Sequence, residues 1–280
     1  MYRTPANLIK RALEEDGAYA DITTLSTVPQ EQQAEGHIIA RRAGVIAGLL
    51  IATETFRIFD KNIHVELLVQ EGATVQAATE LAFLKGPARS LLSAERVALN
   101  FLGHLSGIAT ITAGCVRAIE GTQTRIIDTR KTTPGLRSLE KMAVQLGGGH
   151  NHRFGLSDGV LIKDNHIKAA GGIAQAVAAA RRMAPHLLKI EIECETLSEV
   201  QEALESGADV VLLDNMDVET MRSAVEVIRQ RAPRVLIEAS GNIGTDPARL
   251  AAVAAAGVDF ISLGALTHSV PNFDVSLEFA

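Results

Sequence analysis

Between residues 126 and 263 the chain repeats one pattern, a short apolar run that reads as a strand followed by an alanine-rich stretch that reads as a helix. The apolar runs cover 126–127, 160–162, 188–192, 210–213, 235–237 and 260–263. Helical segments at 174–183, 197–204, 218–228 and 246–256 separate most of them. This alternation predicts parallel βαβ units, because two parallel strands need a crossover of roughly a dozen residues between them. Such units wrap into a barrel or open into a doubly wound sheet, and six strands are fewer than the eight of a full barrel. The runs finish at Asp128, Lys163, Glu193, Asp214, Glu238 and Ser262 or Gly264. Five of the six ends therefore carry a charged side chain. That is the rim where parallel α/β folds bind ligands, so a charged rim there reads as an active site.

The first hundred residues have another texture. Leu8, Ile9, Ala12 and Leu13 share a helical face, with Pro5 near the helix start. Ile63, Val65, Leu67 and Val69 alternate as a half-buried strand would, Gly72 marks a turn, and 81–84 forms a second apolar strand. A long helix begins near Ser90 and carries Arg96 on its first turns. This order predicts a small α+β domain over residues 1–100; an α/β domain is expected over 101–269, with the C-terminal segment 270–280 joining the first domain.

Composition excludes several classes. In 280 residues, 47% are hydrophobic and 21% charged, which is ordinary for a globular chain. Two cysteines, Cys115 and Cys194, exclude a disulfide scaffold and fit a reducing cytoplasm. A net charge of −6 argues against general affinity for nucleic acid or anionic membrane. The longest run of apolar or glycine residues, 43–52, is too short to span a bilayer, and the N-terminus lacks the apolar core of a secretory signal. The expectation is a cytoplasmic protein.

Charge is not spread evenly. Between Arg125 and Lys168 eight basic residues face four acidic ones, so this stretch is +4 while the other 236 residues carry −10. An island of this kind in an acidic chain points to a small polyanionic ligand, since arginine forks match carboxylates and phosphates and lysine adds a mobile point charge. Gly147, Gly148 and Gly149 directly precede His150-Asn151-His152-Arg153, a run that is costly in ordered structure unless the backbone must turn or approach something closely. His150 and His152 resemble half of a metal pair, but no third ligand follows at a usual spacing. Glu193 and Asp214, on neighbouring strand ends, suit magnesium or sugar hydroxyls. Ser240-Gly241-Asn242 and Gly264-Ala265 follow the last two strands, where small residues expose backbone N–H groups to a phosphate.

Read as strings, these residues resemble the quinolinate phosphoribosyltransferase family. Asp128-Thr129-Arg130-Lys131-Thr132-Thr133-Pro134-Gly135-Leu136-Arg137 is similar to one of its signatures. A second is Gly147-Gly148-Gly149-His150-Asn151-His152-Arg153-Phe154-Gly155-Leu156, continued by Leu161-Ile162-Lys163-Asp164-Asn165-His166. Shorter matches are Glu95-Arg96, Ile192-Glu193, Leu213-Asp214-Asn215, Glu238-Ala239-Ser240-Gly241 and Gly264-Ala265-Leu266-Thr267-His268.

The resemblance implies an incomplete α/β barrel of six or seven strands, an N-terminal α+β sandwich-like domain, and a homodimer or higher homo-oligomer. It implies a reaction of quinolinate with phosphoribosyl pyrophosphate that yields nicotinate mononucleotide, carbon dioxide and pyrophosphate, with Mg2+ as cofactor. Its site residues map onto Thr129, Arg130, His152, Arg153 and Lys163 around quinolinate and Lys131 at the pyrophosphate. Glu193 and Asp214 fall at the ribose hydroxyls or magnesium-bound water, and Lys163, Glu193 and Asp214 are the catalytic candidates. Ser240, Gly241, Asn242, Gly264 and Ala265 fall at the 5′-phosphate. In the family, the arginine corresponding to Arg96 reaches into the neighbouring subunit's site. Other readings stay open at this point: a molybdenum-associated relative, a non-decarboxylating nicotinate phosphoribosyltransferase, a Schiff-base aldolase using Lys163, or a non-enzymatic phosphometabolite sensor.

Overall fold

The computed structural model of the chain describes residues 6–280; Pro5, expected near the start of the first helix, lies outside that range. The chain divides into two compact units, one formed by residues up to Thr110 together with Val270–Ala280, the other by Ile111–Ser269. The division falls ten residues beyond the expected boundary at 100, because helix 88–118 is continuous across it.

In the first unit the helix α1 (Ala6–Glu15) buries Ile9 and Leu13, two members of the apolar face read from the sequence. A short helix α2 (Ile22–Thr27) follows, started by Asp21, whose side chain accepts from the Thr24 N–H at 3.1 Å. Strands β1 (Gln33–Ala40) and β2 (Gly44–Val45) lead to α3 (Leu49–Phe59). Then come β3 (His64–Leu67), β4 (Thr74–Val75) and β5 (Glu80–Pro87). The main sheet is antiparallel, in the order Val275–Phe279, β1, β5, β3. Gly36 of β1 pairs with Phe279, and a Cβ at Gly36 would stand 2.8 Å from the Glu278 carbonyl oxygen. β2 and β4 make a separate two-stranded ribbon.

Helix α4 (Ala88–Ala118) is long and apolar enough to cross a membrane by length and composition, yet 56% of its most apolar window is buried inside the protein. Leu91, Leu102, Leu105 and Ile108 are at most 1% exposed, as in the core helix of a globular domain.

The second unit contains the parallel strands. They are β6 (Arg125–Ile127), β7 (Val160–Ile162), β8 (Ile190–Cys194), β9 (Val210–Asp214), β10 (Leu236–Ser240) and β11 (Phe260–Ser262), hydrogen-bonded in the order β6-β11-β10-β9-β8-β7. Helices α5 (Arg137–Leu146), α6 (Asp164–Ala170), α7 (Ile173–Met183), α8 (Leu197–Glu205), α9 (Val218–Arg231), α10 (Pro247–Ala254) and the short α11 (Ala265–His268) lie between or after them. A seventh position is only a single parallel bridge, His150 to Ile127. The architecture is an incomplete α/β barrel in one unit and an α+β N-terminal domain in the other.

The glycine run explains how the chain enters that bridge. Gly148 takes φ +85°, and a Cβ on Gly149 would stand 2.8 Å from Thr112 and 2.9 Å from Val144. The chain must turn sharply and then pass close to α4 and α5 to reach β6.

Candidate active site

Side chains alternate along a strand, and the in-register partners Glu193, Leu212 and Glu238 show which face turns inward. The same face carries Leu161 and Lys163 of the β7 segment, Asp214, Ser240 and Ser262. All of these line one cavity of about 480 Å3. Four cations of the basic island, Arg130, Lys131, Arg153 and Lys163, line it as well, together with Thr129, His152, Asn215, Gly241 and Asn242.

The island therefore divides by task. Arg137 is a brace: Nε donates to Thr132 Oγ1 at 2.9 Å, and the guanidinium also donates to the carbonyls of Phe154 and Arg130. Lys168 pairs with Asp164 one helical turn away, and Arg125 is exposed at the opposite end of its strand. Lys141 is buried under the site. Its Nζ hydrogen-bonds Asp128 Oδ1 and donates to the His152 carbonyl at 3.1 Å. Asp128 also accepts the His152 N–H at 2.8 Å. With its amide oriented to satisfy its neighbours, Asn151 donates to Asp128 Oδ2 at 2.7 Å and to the Lys141 carbonyl at 3.0 Å. Asp128 is not the rim charge that its place at a strand end predicts; it is fully buried, and burial raises its pKa despite Lys141.

Cations crowd the cavity. Desolvation, and then the neighbouring Arg130, lower the pKa of Arg153, while Glu191 and Asp158 act in the other direction. Arg153 donates to the Gly159 carbonyl at 2.8 Å, and Asp158 closes this loop by accepting the N–H groups of Phe154 and Gly155. Arg130 Nε is buried without a hydrogen-bond partner among the described residues. Two like charges held side by side, one with an unused donor, form a receptor for an anion bearing more than one acceptor.

On the facing strands Lys163 Nζ pairs with Glu193 Oε2, and Asp214 Oδ2 accepts from Asn215 Nδ2 at 2.6 Å. The other oxygen of each carboxylate takes no hydrogen bond among the described residues. Two hard oxygen donors on adjacent strands suit a hydrated divalent cation or a diol. Next to them the backbone is forced into left-handed conformations at Asn215 (φ 56°), Gly241 (φ 80°) and Asn242 (φ 38°). Asn242 Nδ2 donates to Asn215 Oδ1 at 3.0 Å, and Asn215 N–H to the Ser240 carbonyl at 3.1 Å. Clustered left-handed residues at a rim are a mark of ligand-binding turns.

Three expected site residues do not line the cavity. Gly264 stands beside Lys131, whose Cδ would be 3.1 Å from a Cβ placed there, and Ala265 opens the short helix α11 next to it. Thr267 Oγ1 fixes this corner by donating to the Lys131 carbonyl at 2.7 Å. Arg96 is exposed on α4 in the first unit. Of the remaining histidines, His166 Nδ1 accepts the Lys163 N–H and so caps α6, while His150 is exposed and engaged through its backbone.

Two carboxyl groups were not among the expected site residues. Glu238 sits inside β10 and not at its end, because the strand runs on to Ser240. It is 3% exposed, and burial, followed by the nearby Glu191 charge, raises its pKa well above the ordinary value. Glu191 is buried too, and its Oε1 has no partner among the described residues. The signal was available: a glutamate between Ile190 and Ile192, and another between Ile237 and Ala239, alternate with apolar residues in strands otherwise destined for the core.

Comparison with known proteins assigns both halves of the chain. Residues 21–106 match the family described as quinolinate phosphoribosyl transferase, N-terminal domain, and residues 108–278 match its C-terminal domain. A probable carboxylating nicotinate-nucleotide pyrophosphorylase of Synechocystis is 48% identical over 248 residues, covering 89% of this chain and 83% of the relative. Another from Bacillus subtilis is 44% identical over 271 residues, covering 97% and 92%. The crystal structure of nicotinate-nucleotide pyrophosphorylase from Ehrlichia chaffeensis superposes with a TM-score of 0.93 at 37% identity and full coverage of both chains.

Proposed function

The chain belongs to the quinolinate phosphoribosyltransferase family, and from that premise we propose that the cavity described above is where quinolinate and phosphoribosyl pyrophosphate react. The protein is a decarboxylating phosphoribosyltransferase of NAD biosynthesis: quinolinate and phosphoribosyl pyrophosphate give nicotinate mononucleotide, carbon dioxide and pyrophosphate. The observation that carries the assignment to this cavity is the convergence of Arg130, Lys131, Arg153 and Lys163 opposite Glu193 and Asp214.

Quinolinate brings two adjacent carboxylates. Arg130 and Arg153 grip them from one side, with Thr129 and Lys163 at the edges. Lys131 meets the diphosphate, and Glu193 and Asp214 hold the ribose hydroxyls. Gly241 and Asn242, with Ser240 before them, turn backbone N–H groups toward the 5′-phosphate, and Gly264 and Ala265 support that wall from behind Lys131. When the pyridine nitrogen attacks ribose C1 the diphosphate departs, so the chain's contribution is alignment and stabilisation of leaving-group charge. The ribosylated nitrogen is cationic and stabilises the ring carbanion formed as the adjacent carboxylate leaves, which asks little of protein acids or bases. Glu193 and Asp214 would hold Mg2+ at their open oxygens, and the ion would supply neutralisation of diphosphate charge. Lys163 is held in an ion pair with Glu193, which engages the amine that a Schiff-base aldolase would need free.

Pyrophosphate and carbon dioxide release from quinolinate tests the assignment. Both products are expected in equal amounts only when phosphoribosyl pyrophosphate and Mg2+ are present, and quinolinate is expected to be turned over far faster than nicotinate. Binding of phosphoribosyl pyrophosphate without product release would instead identify a sensor.

Gly241→Ala probes the phosphate cradle. A Cβ there would lie 2.8 Å from the Asn215 backbone nitrogen, and φ +80° is strained for an alanine. The expected result is a KM for phosphoribosyl pyrophosphate raised by about tenfold or more, with a smaller change for quinolinate.

Arg96 belongs, in this proposal, to the partner subunit's site in a homodimer. Arg96→Ala and Lys163→Ala are each expected to be inactive alone, and mixed subunits to regain activity from the sites that receive one intact copy of each residue. No recovery after verified subunit exchange counts against a shared site. A cytoplasmic location accompanies this reading, supported by two buried free thiols and by the burial of α4.

A further inference from the structure

Two buried carboxyl groups, one in the cavity wall and one behind it, have no part in the scheme above. Glu191 on β8 and Glu238 on β10 are 7% and 3% exposed, and their Oε2 atoms lie 3.2 Å and 3.5 Å from Nε2 of His152. A carboxyl in a barrel interior is costly compared with the valine or leucine that such a position ordinarily holds. Two of them against one imidazole therefore point to a task.

The imidazole reveals it. His152 Nδ1 accepts the backbone N–H of Arg153 at 2.6 Å. A ring nitrogen that accepts carries no proton, so the neutral ring bears its proton on Nε2, aimed at the two carboxyls. Both nitrogens are then committed to protein partners, and neither is free to exchange a proton with a substrate. The same assignment sets aside a metal tripod. The three ligand atoms do lie within 4.8 Å of one another, but a metal at Nε2 requires that nitrogen bare and Nδ1 as the donor, which is the reverse of the arrangement here.

We propose that Glu191 and Glu238 are positioning residues that lock His152 in its Nε2–H form and thereby fix the backbone from which Arg153 reaches the substrate. The identity of that substrate rests on the function proposed above. His152 then acts as a fixed wall of the quinolinate pocket, and its ring passes no proton in the reaction.

Nitrogen NMR of the histidine-labelled, substrate-free protein reads the tautomer directly. A neutral Nε2–H signature for His152 is expected. Glu191→Gln keeps it, because the amide oxygen still accepts. Glu191→Leu shifts the His152 ring resonances, because one of the two acceptors of the Nε2 proton is gone, and raises KM for quinolinate by about tenfold or more while KM for phosphoribosyl pyrophosphate moves less than about twofold. A wild-type Nδ1–H signature overturns the proposal, and so does a folded Glu191→Leu protein whose His152 resonances are unmoved. If Glu191→Leu does not fold, Glu238→Leu takes its place with the same expectation. A protein with the expected tautomer but no turnover of quinolinate sinks the proposed function and leaves the locked histidine standing.

Discussion

Lys141→Met is expected to lower the unfolding free energy by about 3–5 kcal/mol at neutral pH, because it strands a carboxylate with nowhere to go. The side chains of Lys141 and Asp128 are 3% and 0% exposed. Lys141 supplies the only cation that Asp128 hydrogen-bonds among the described residues. Without it Asp128 keeps the His152 N–H and the Asn151 amide, which satisfy its lone pairs but not its charge. Its pKa, already raised by burial, must rise further. For an acid with a folded-state pKa above its unfolded value, the folded state binds the extra proton, so stability falls as pH rises through that interval. The deficit of Lys141→Met relative to wild type should therefore shrink as pH falls toward the ordinary carboxylate range. Urea unfolding at several pH values measures this. Asp128→Asn combined with Lys141→Met should recover part of the loss, since it removes the stranded charge. Equal stability of wild type and Lys141→Met at neutral pH would show that the pair does not hold the segment. Activity has a stake as well, because Lys141 and Asp128 together anchor both backbone groups of His152.

What could be read from the sequence follows from how local the determinants are. The six barrel strands were legible because each is a short apolar run followed by a polar end, and each crossover helix lies next to it in the chain. The return of 270–280 to the first domain was expected, but its pairing as a strand with β1 was not legible, since that pairing joins residues more than two hundred positions apart and Gly36 breaks the apolar pattern of β1. Eleven of the expected site residues line one cavity because strand ends and the turns after them share a rim. Gly264 and Ala265 miss it because they follow β11, where the lining residue is Ser262 and Lys131 stands in front. Chain position alone places Asp128 and Glu238 as rim charges. Their burial depends on where the strand stops relative to its neighbours, and no single strand carries that information. The charge island likewise pointed to an anion, but not to which of its cations are braces. Arg137 and Lys141 differ from Arg130 and Arg153 only in what the fold sets around them.

Removing one arm of the carboxylate clamp should be the most damaging change to catalysis. Arg130→Ala is expected to lower kcat/KM for quinolinate by about 2–5 kcal/mol, roughly 30-fold to several thousandfold, the usual range for losing one partner of a desolvated charge pair. The free protein should tolerate it well. Arg130 Nε has no partner to lose among the described residues, and its neighbour Arg153 is relieved of a like charge. Stability unchanged or slightly improved, together with a large loss of activity, is the pattern of a residue kept for its ligand. Arg130→Lys should recover only part of the activity, since a point charge cannot reproduce a two-pronged contact with a planar carboxylate. Nicotinate offers one carboxylate in place of two, so its poor turnover should fall by a smaller factor than that of quinolinate, and the two substrates should become harder to tell apart. Steady-state kinetics with both substrates decides the matter. Near-native kcat/KM for quinolinate in Arg130→Ala, or equal losses for the two substrates, would mean that the paired arginines do not read the second carboxylate.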